Sequence, residues 1–276
     1  MVSINAVKAI ARKEFTDKLN NRWIVVISIA FTVFTIIISY FGSSVSGVTG
    51  FREMAPTIAS LTSLVIYFIP ILALTLGGGV IADERDRHTL DIYLASPISV
   101  SEFIAGKFIG LSISLSLPTI IGFMVSGIVL FLNITNASIL SYILFIVHSI
   151  ILGLIFLSIS FLVSVLFYDR AKVIAFTVFA WLFFTVLYDL GLIGVLVVSK
   201  GRINVDILSI LLMFNPIDIY RIMNFMSIGE YSLFLGLSSI EFPKFLNMPV
   251  LWGICMIWIV VPLTISFSLF KRKYLT

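Results

Sequence analysis

The sequence has few of the charged residues that a soluble protein carries on its surface. Asp, Glu, Lys and Arg make up 12% of its 276 residues, whereas 60% are hydrophobic, and the mean hydropathy is +1.15. A soluble domain of this length needs much more polar surface, so the composition indicates a helical protein that crosses a membrane several times. The single cysteine, Cys255, excludes an internal disulfide framework.

Motifs for nucleotide binding and catalysis are missing as well. Residues 101–108 include Gly106-Lys107 but lack the first glycine and the hydroxyl residue of a phosphate-binding loop. The two histidines, His88 and His148, lie in different regions and cannot form a zinc site. We therefore expect no enzymatic activity, no catalytic residue and no bound metal or cofactor in this chain. Nucleic acid is not an expected partner, because the basic residues concentrate beside the apolar runs.

Six apolar runs are long enough to cross the hydrocarbon core, which takes about 20 helical residues. They are residues 23–41, 57–81, 108–132, 139–167, 173–198 and 249–270. No repeat or linker separates them. The sequence therefore predicts one all-α, polytopic membrane domain over residues 1–276, with six transmembrane helices.

Lys and Arg are distributed unevenly between the two sides of the predicted bundle. If the N-terminus is inside, the inner segments hold thirteen of these residues and the outer segments hold five. Positive residues accumulate on the cytoplasmic side of membrane proteins. We therefore expect a multi-pass protein of the cell (cytoplasmic) membrane, with both termini in the cytosol.

Residues 1–22 are predicted to contain an amphipathic helix. Apolar side chains recur at three- and four-residue steps from Ile4 through Ala11 to Leu19, and basic residues occupy much of the remaining surface. Such a helix lies in the inner interface, with its basic residues near anionic lipid headgroups. The sequence leaves open whether it is a simple anchor or a lever packed against the loop that follows the second span.

That loop, residues 82–107, carries nine Asp, Glu, Lys, Arg or His residues. Hydrocarbon cannot accommodate so many charges, so we expect the loop and its charged side chains to lie in cytosolic water. Residues 90–94 place apolar side chains on one helical face, and Pro97 ends that helix. Ser99 and Glu102 then have capping-box spacing. A short helix, a proline that ends it and a new helix start follow closely on one another, so we expect this loop to be a rigid projection into the cytosol.

Residues 199–248 are too long for a bare connection and are predicted to form a small extracytoplasmic helical cap. The segment Asn215-Pro216-Ile217-Asp218 is typical of a helix start. Asn caps a helix, Pro suits the first helical position, and Asp favours the positive helix end. Tyr220 and Arg221 follow on that helix.

Few ionisable groups lie inside the predicted spans. We interpret Asp189 as a neutral or hydrogen-bonded packing group and His148 as an interhelical hydrogen-bonding group. An intramembrane aspartyl protease would need a second buried aspartate beside Asp189, which the sequence does not offer. Met223 and Met226 have soft sulfur atoms that suit Cu(I), but apolar packing is the favoured interpretation.

The charged loop resembles that of ABC-2 type permeases. The matching features are Glu84, His88-Thr89-Leu90, Leu94, Pro97, Ser101-Glu102 and Gly106-Lys107, with His88 in place of the usual glycine. In that family the loop forms a coupling helix that docks on an ATPase subunit. The resemblance therefore implies a set of ATPase-coupling residues: Glu84, Arg85, Asp86, Thr89, Leu90, Leu94, Pro97, Glu102 and Lys107.

Further segments are similar to permeases of the ABC transporters that mature copper-containing nitrous-oxide reductase. These segments are residues 11–15, 21–23, 56–61 and 215–221. The likeness implies a homodimer with two ATPase subunits, which bind ATP and Mg. It also implies an extracytoplasmic β-helical partner on the outer cap, with contacts at Asn215, Pro216, Asp218, Tyr220 and Arg221.

The sequence thus predicts the permease subunit of an ATP-driven transporter, which moves a cargo or mechanically controls an extracytoplasmic partner, with copper delivery as one role. An ABC-2 exporter permease for an unrelated small-molecule or lipid-like cargo is the first alternative. A self-sufficient channel or secondary transporter is an alternative of another class. It should line its path with several intramembrane polar groups, which are sparse here.

Overall fold

The computed structural model describes residues 3–20, 22–41, 54–86, 88–90, 93, 98–134, 138–200, 202–228, 243 and 245–274. The regular elements in these ranges are all helical. They are α1 (Ile4–Asn20), α2 (Trp23–Phe41), α3 (Met54–Asp86), α4 (Val100–Asn133), α5 (Ile139–Leu166), α6 (Arg170–Leu182), a π-helix (Phe183–Leu187), α7 (Tyr188–Val198), α8 (Val205–Met213), α9 (Pro216–Ile228) and α10 (Met248–Tyr274).

The predicted all-α membrane architecture is confirmed in the described residues. Five helical stretches are long and apolar enough to cross a membrane, and a sixth is counted if α1 and α2, which are bent by 64° to each other, form one span. The first predicted span coincides with α2. The fifth is one stretch, Arg170–Val198, in which the π-helix separates α6 from α7.

Two helices extend well beyond the predicted membrane boundaries. α3 continues to Asp86, and α4 begins at Val100 and runs for 34 residues. Both ends of the charged segment 82–107 are therefore helical, and α4 begins directly after Ser99, as the capping-box spacing predicted. The location of this segment in cytosolic water stays a prediction. Only residues 87–99 connect the two helices.

The core of the bundle forms around α5. This helix packs against α3, α4, α9 and α10. Its apolar residues cover most of its circumference, and Phe145, Phe156 and Phe161 are fully buried, with Phe145 packing edge-on against Phe123 of α4. Serine hydroxyls on α5 satisfy backbone carbonyl groups, as when Ser164 donates to Gly78 of α3 at 2.8 Å. Small polar residues of this kind let membrane helices approach closely.

α1 is helical as predicted and packs mainly on α4. Its buried face differs from the predicted apolar stripe. Ile4 and Leu19 are 80% and 44% exposed, whereas Ile10 and Glu14 are buried. Two glycines of α4 allow the close approach, since a Cβ at Gly110 would lie 2.6 Å from the carbonyl oxygen of Ala11 and one at Gly106 would collide with Ile10. The location of α1 in the lipid interface stays a prediction.

The segment after the fifth span contains the predicted helix start. The Asn215 side chain accepts a hydrogen bond from the backbone N–H of Ile217 at 3.0 Å, and Pro216 is the first residue of α9. α9 does not stand apart from the bundle: it packs against α3, α5 and α10 and is mostly buried. Residues 229–242 of the predicted cap lie outside the described residues.

Candidate functional site at the cytosolic ends of the helices

A left-handed residue ends α3 at the start of the charged loop. His88 has φ of 56°. Its backbone N–H donates to the carbonyl oxygen of Arg85 at 3.0 Å, and the N–H of Thr89 donates to that of Glu84 at 2.9 Å. These two bonds form a Schellman motif with His88 at the position that usually holds glycine. Glycine adopts this left-handed conformation at little cost, which agrees with the resemblance in which glycine is the usual residue here.

A capping box begins α4 on the other side of the loop. The Ser99 side chain accepts from the backbone N–H of Glu102, and the Glu102 carboxylate accepts from the backbone N–H of Ser99 at 2.7 Å. The predicted motif is confirmed. Glu102 also accepts a hydrogen bond from the backbone N–H of Ser3, at the start of α1. Glu102 is only 4% exposed, so the expectation that its side chain lies in water is wrong.

Three charges, of which Glu14 and Lys107 are buried and Glu84 is partly buried, join α1, α3 and α4. The Lys107 ammonium donates to the Glu84 carboxylate at 2.8 Å and also to the Glu14 carboxylate. The Lys107 side chain is 2% exposed, although Lys107 was expected at the aqueous end of the loop. We call Glu14, Glu84 and Lys107 the inner cluster. Its burial means that each charge depends on the others for compensation.

The middle of the loop is attached to the same region. Lys13 of α1 donates a hydrogen bond to the Tyr93 hydroxyl at 2.6 Å, and this bond raises the pKa of Lys13 above its ordinary value. The Tyr93 ring packs against Phe103, with ring centroids 4.9 Å apart. Leu90 is buried beside it. The part of the loop that the structure describes is therefore held on α1 and α4.

Arg85 connects the loop to the inner ends of α5 and α10. Its guanidinium donates to the Tyr274 hydroxyl at 2.8 Å and to the carbonyl oxygens of Phe167, at 3.1 Å, and Tyr168. Lys273 of α10 donates to the last carbonyl groups of α5 and lies 3.5 Å from the centre of the Tyr168 ring. Cations here satisfy the unpaired carbonyl groups at the end of α5.

The structure separates the predicted coupling residues into two groups. Glu84, Arg85, Thr89, Leu90, Glu102 and Lys107 make internal contacts. Asp86 is exposed, as is His88. Leu94 and Pro97 lie outside the described residues. Only the exposed part of the loop is available to a partner in this arrangement.

Sequence reasoning missed Glu14 and Lys13 as parts of this site. Neither residue was proposed as a partner of the charged loop. One signal was present: Glu14 follows Ile10 and Ala11 at helical spacing, so it lies on the face that these apolar residues bury. A charge on a buried helical face requires a partner. The partner, Lys107, lies 93 residues away along the chain.

A second polar network lies at the other end of the bundle. Arg221 of α9 donates to Asp189 of the fifth span at 2.7 Å and to Asp218 at 2.9 Å. Asn215 donates to Asp218 at 2.9 Å and to the carbonyl oxygen of Phe184, inside the π-helix, at 3.1 Å. We call Asp189, Asn215, Asp218 and Arg221 the outer network. It connects α9 to the π-helix region of the fifth span.

The outer network is internal to this chain. Asn215, Asp218 and Tyr220 are at most 2% exposed, and Pro216 is buried. Burial raises the pKa of the Asp218 carboxyl to about 7, and the neighbouring Asp189 charge adds to this shift. Asp189 is therefore an ion-paired group that links two helices, in place of the neutral or simply hydrogen-bonded group expected.

His148 and the methionines have packing roles. The His148 imidazole Nδ1 lies 3.1 Å from the Asn224 side-chain oxygen, which confirms the predicted interhelical hydrogen bond between α5 and α9. Met223 is 1% exposed and packs in an apolar cluster with Cys255 of α10. Met226 packs against the same cluster. These contacts agree with the interpretation of both methionines as packing residues.

Comparison with known proteins covers nearly the whole chain. The family described as ABC-2 family transporter protein matches residues 8–275. A Stutzerimonas stutzeri protein named "Probable ABC transporter permease protein NosY" is 32% identical over 274 residues, which cover 98% of this chain and 99% of the relative. The protein of the same name from Pseudomonas aeruginosa is 32% identical over 268 residues, which cover 96% and 97%. The range of the family match, residues 8–275, includes the inner cluster and the outer network.

Proposed function

The chain belongs to the ABC-2 family of transporter proteins, and from this premise we propose that it is the permease subunit through which a separate ATPase chain drives an ABC transporter. The inner cluster is the observation that carries the proposal. It joins α1, α3 and α4 to one another through ion pairs, directly beside the loop that connects α3 to α4. A force applied to the loop therefore reaches three helices at once.

The exposed part of the loop is the proposed docking surface. Asp86 and His88 are exposed at its beginning, and Leu94 and Pro97 belong to it by resemblance to the family. Glu84, Glu102 and Lys107 act as positioning residues beneath that surface. Rigid attachment favours this function, because a loop that moved independently of its spans could not transmit a displacement.

In this proposal the outer network transmits movement of the membrane helices to α9. α3 and α5 pack along their lengths, and α9 packs on both. Displacement of the fifth span would act on α9 through Asp189 and Arg221. The π-helix supports this role, since single-turn π segments occur frequently at functional sites. Asn215, Pro216, Asp218, Tyr220 and Arg221 would thus position the surface that an extracytoplasmic partner contacts.

A second copy of the chain is the proposed neighbour of the fifth span. This span is 29 residues long, and only 6% of its most apolar 18-residue stretch is buried by the rest of the chain. Phe176, Phe179 and Phe183 form an exposed aromatic row on one of its faces. A homodimer would cover this row and would place two docking loops side by side for two ATPase subunits, which bind ATP and Mg.

We further propose a role in copper delivery to nitrous-oxide reductase, which is what the resemblance described in the sequence analysis implies. The chain is 32% identical to two proteins named NosY. In this proposal the complex acts mechanically on an extracytoplasmic β-helical partner, with both termini of the permease in the cytosol. Deletion of the gene in a nitrous-oxide-respiring host should yield reductase that lacks its copper. Reductase with normal copper content in the deletion strain would remove this role and leave the permease function untouched.

Coexpression with a candidate ABC ATPase chain from the same organism tests the coupling proposal. We expect the two chains to copurify and the permease to alter the rate of ATP hydrolysis. Asp86→Arg should weaken both effects without loss of thermal stability, because Asp86 is exposed. Asp206→Arg, at an exposed position on α8, is the matched control. A permease that conducts solutes alone in liposomes and binds no ATPase would instead be a channel or secondary transporter.

A further inference from the structure

A cleft of about 240 Å³ opens between the inner ends of α1, α3 and α4. It exists because α1 packs mainly on α4, which leaves a gap toward α3. The inner cluster forms its base, where the carboxylates of Glu14 and Glu84 both accept hydrogen bonds from the Lys107 ammonium. The base therefore has little capacity for a further ligand, and the chemistry of the cleft depends on its mouth.

Charges of both signs surround the mouth. Asp17 and Lys18 come from α1, and Asp83 comes from α3. The Asp83 carboxylate rests against Gly79, where a Cβ would collide with it. Arg170 Nε lies 3.3 Å from Asp83 Oδ1, yet this buried oxygen accepts no hydrogen bond within the described part of the chain. A donor entering the cleft would satisfy it after a small rotation of the carboxylate.

An exposed strip on the surface of α3 leads from the mouth of the cleft toward the middle of this predicted span. Thr75 and Gly79 follow Asp83 toward the N-terminus of α3 at four-residue steps, and Leu72 and Phe68 continue the same face. Thr75 is exposed, and Phe68 is 40% exposed. A molecule with a charged head in the cleft could therefore extend an apolar tail along this strip.

We infer that the cleft binds the headgroup of a phospholipid that carries both a phosphate and a primary ammonium group, as phosphatidylethanolamine does. The ammonium donates to Asp83 and Asp17, and the phosphate accepts from Lys18. One acyl chain lies along the strip from Thr75 to Phe68. The site is distinct from general attraction of α1 to anionic lipid, because both signs of charge are used.

Other phospholipids fit the same residues less well. Phosphatidylglycerol brings a negative charge beside two carboxylates and offers no cation to either. Phosphatidylcholine has a positive charge, but its quaternary ammonium has no N–H to donate to Asp83. The structure therefore favours the primary ammonium over the quaternary one by about tenfold in affinity.

Native mass spectrometry of the purified full-length permease tests this inference. The protein is incubated with equal amounts of phosphatidylethanolamine, phosphatidylcholine and phosphatidylglycerol that have identical acyl chains. We expect wild type to retain phosphatidylethanolamine about tenfold over the other two lipids. Asp83→Asn should abolish the preference over phosphatidylcholine, whereas Lys18→Gln should lower retention of both lipids.

Matched variants on the outer side, Lys200→Gln and Asp206→Asn, change the same types of charge and should leave the preference intact. Equal retention of the three lipids, preference for phosphatidylglycerol, or an Asp83→Asn protein with wild-type preference would each overturn the inference. Asp83 and Lys18 are both partly exposed, so these variants should fold. Gly79→Leu, which fills the cleft, provides a third variant and should lower retention of every lipid. No ATPase is needed, so the outcome is independent of the proposed function.

Discussion

Lys107 on α4 and Glu84 on α3 form a hydrogen-bonded ion pair of 2.8 Å, inside the region that connects the second and third spans. Glu14 of α1 pairs with the same ammonium group. A single buried cation thus holds carboxylates from two other helices. Its removal would leave both without a cation, and Glu84 would keep only the hydrogen bond from the Thr89 hydroxyl. This arrangement makes the inner cluster the most sensitive point of the cytosolic surface.

Lys107→Met should destabilise the folded protein by about 3–5 kcal/mol, which is the usual cost of leaving buried charges unpaired. The same variant should lose stimulation of the partner ATPase, because α1 and α3 lose their common attachment. Thermal unfolding in detergent and ATPase assays of the complex measure these effects. Lys271→Met, at an exposed position of α10, is the control. Wild-type stability in Lys107→Met would show that the carboxylates find other partners.

His88→Gly should stabilise the end of α3. His88 adopts φ of 56°, a conformation that costs a residue with a Cβ about 1–2 kcal/mol and costs glycine almost nothing. We expect a higher midpoint of thermal unfolding for His88→Gly than for wild type. His88→Ala separates the backbone effect from loss of the imidazole, since alanine retains the Cβ and should bring no gain. An equal gain from both substitutions would contradict the backbone explanation.

Gly110→Ala should disturb the contact between α1 and α4. The added Cβ would lie 2.6 Å from the carbonyl oxygen of Ala11, and a backbone atom cannot move aside as a flexible side chain can. Overpacking of this kind costs about 1–3 kcal/mol. Gly253→Ala is the matched control, because a Cβ there meets no atom within 4 Å. Thermal unfolding of the two variants should differ, and equal stability would place α1 elsewhere.

The sequence was sufficient to predict the fold class, because the length of an apolar run can be read from consecutive residues without knowledge of distant contacts. α2 and α5 match the predicted spans closely, and the start of α9 was predicted from Asn215 and Pro216. The capping-box spacing of Ser99 and Glu102 predicted the start of α4. The extension of α3 to Asp86 was missed, because an apolar run shows which part of a helix lies in lipid and not where the helix ends in water.

The candidate site could be predicted only in part, because its burial depends on contacts between residues that are far apart in the sequence. Glu84, Glu102 and Lys107 were identified from their loop, but their burial was not, because it depends on Glu14 and Ser3 from α1. Pairing over such sequence distances leaves no periodic signal. The π-helix at Phe183–Leu187 was missed as well, since its residues are as apolar as those of the α-helices on either side.

Asp218 predicts a pH dependence of stability. Burial raises the pKa of its carboxyl to about 7 in the folded protein, from an ordinary value of 3.8. The folded state therefore holds this proton more tightly than the unfolded state does. The stabilisation from the protonated form is complete below about pH 4 and is lost as the pH rises to about 7.

Asp218→Asn should remove that dependence. Asparagine resembles the protonated carboxyl, keeps an acceptor oxygen for Arg221, and leaves Arg221 paired with Asp189 alone. We expect the midpoint of thermal unfolding of wild type to fall, relative to that of the variant, between about pH 4 and about pH 7. Asp206→Asn, at an exposed site on α8, should give a curve parallel to that of wild type. Parallel curves for wild type and Asp218→Asn would mean that the Asp218 carboxyl is already ionised throughout this range.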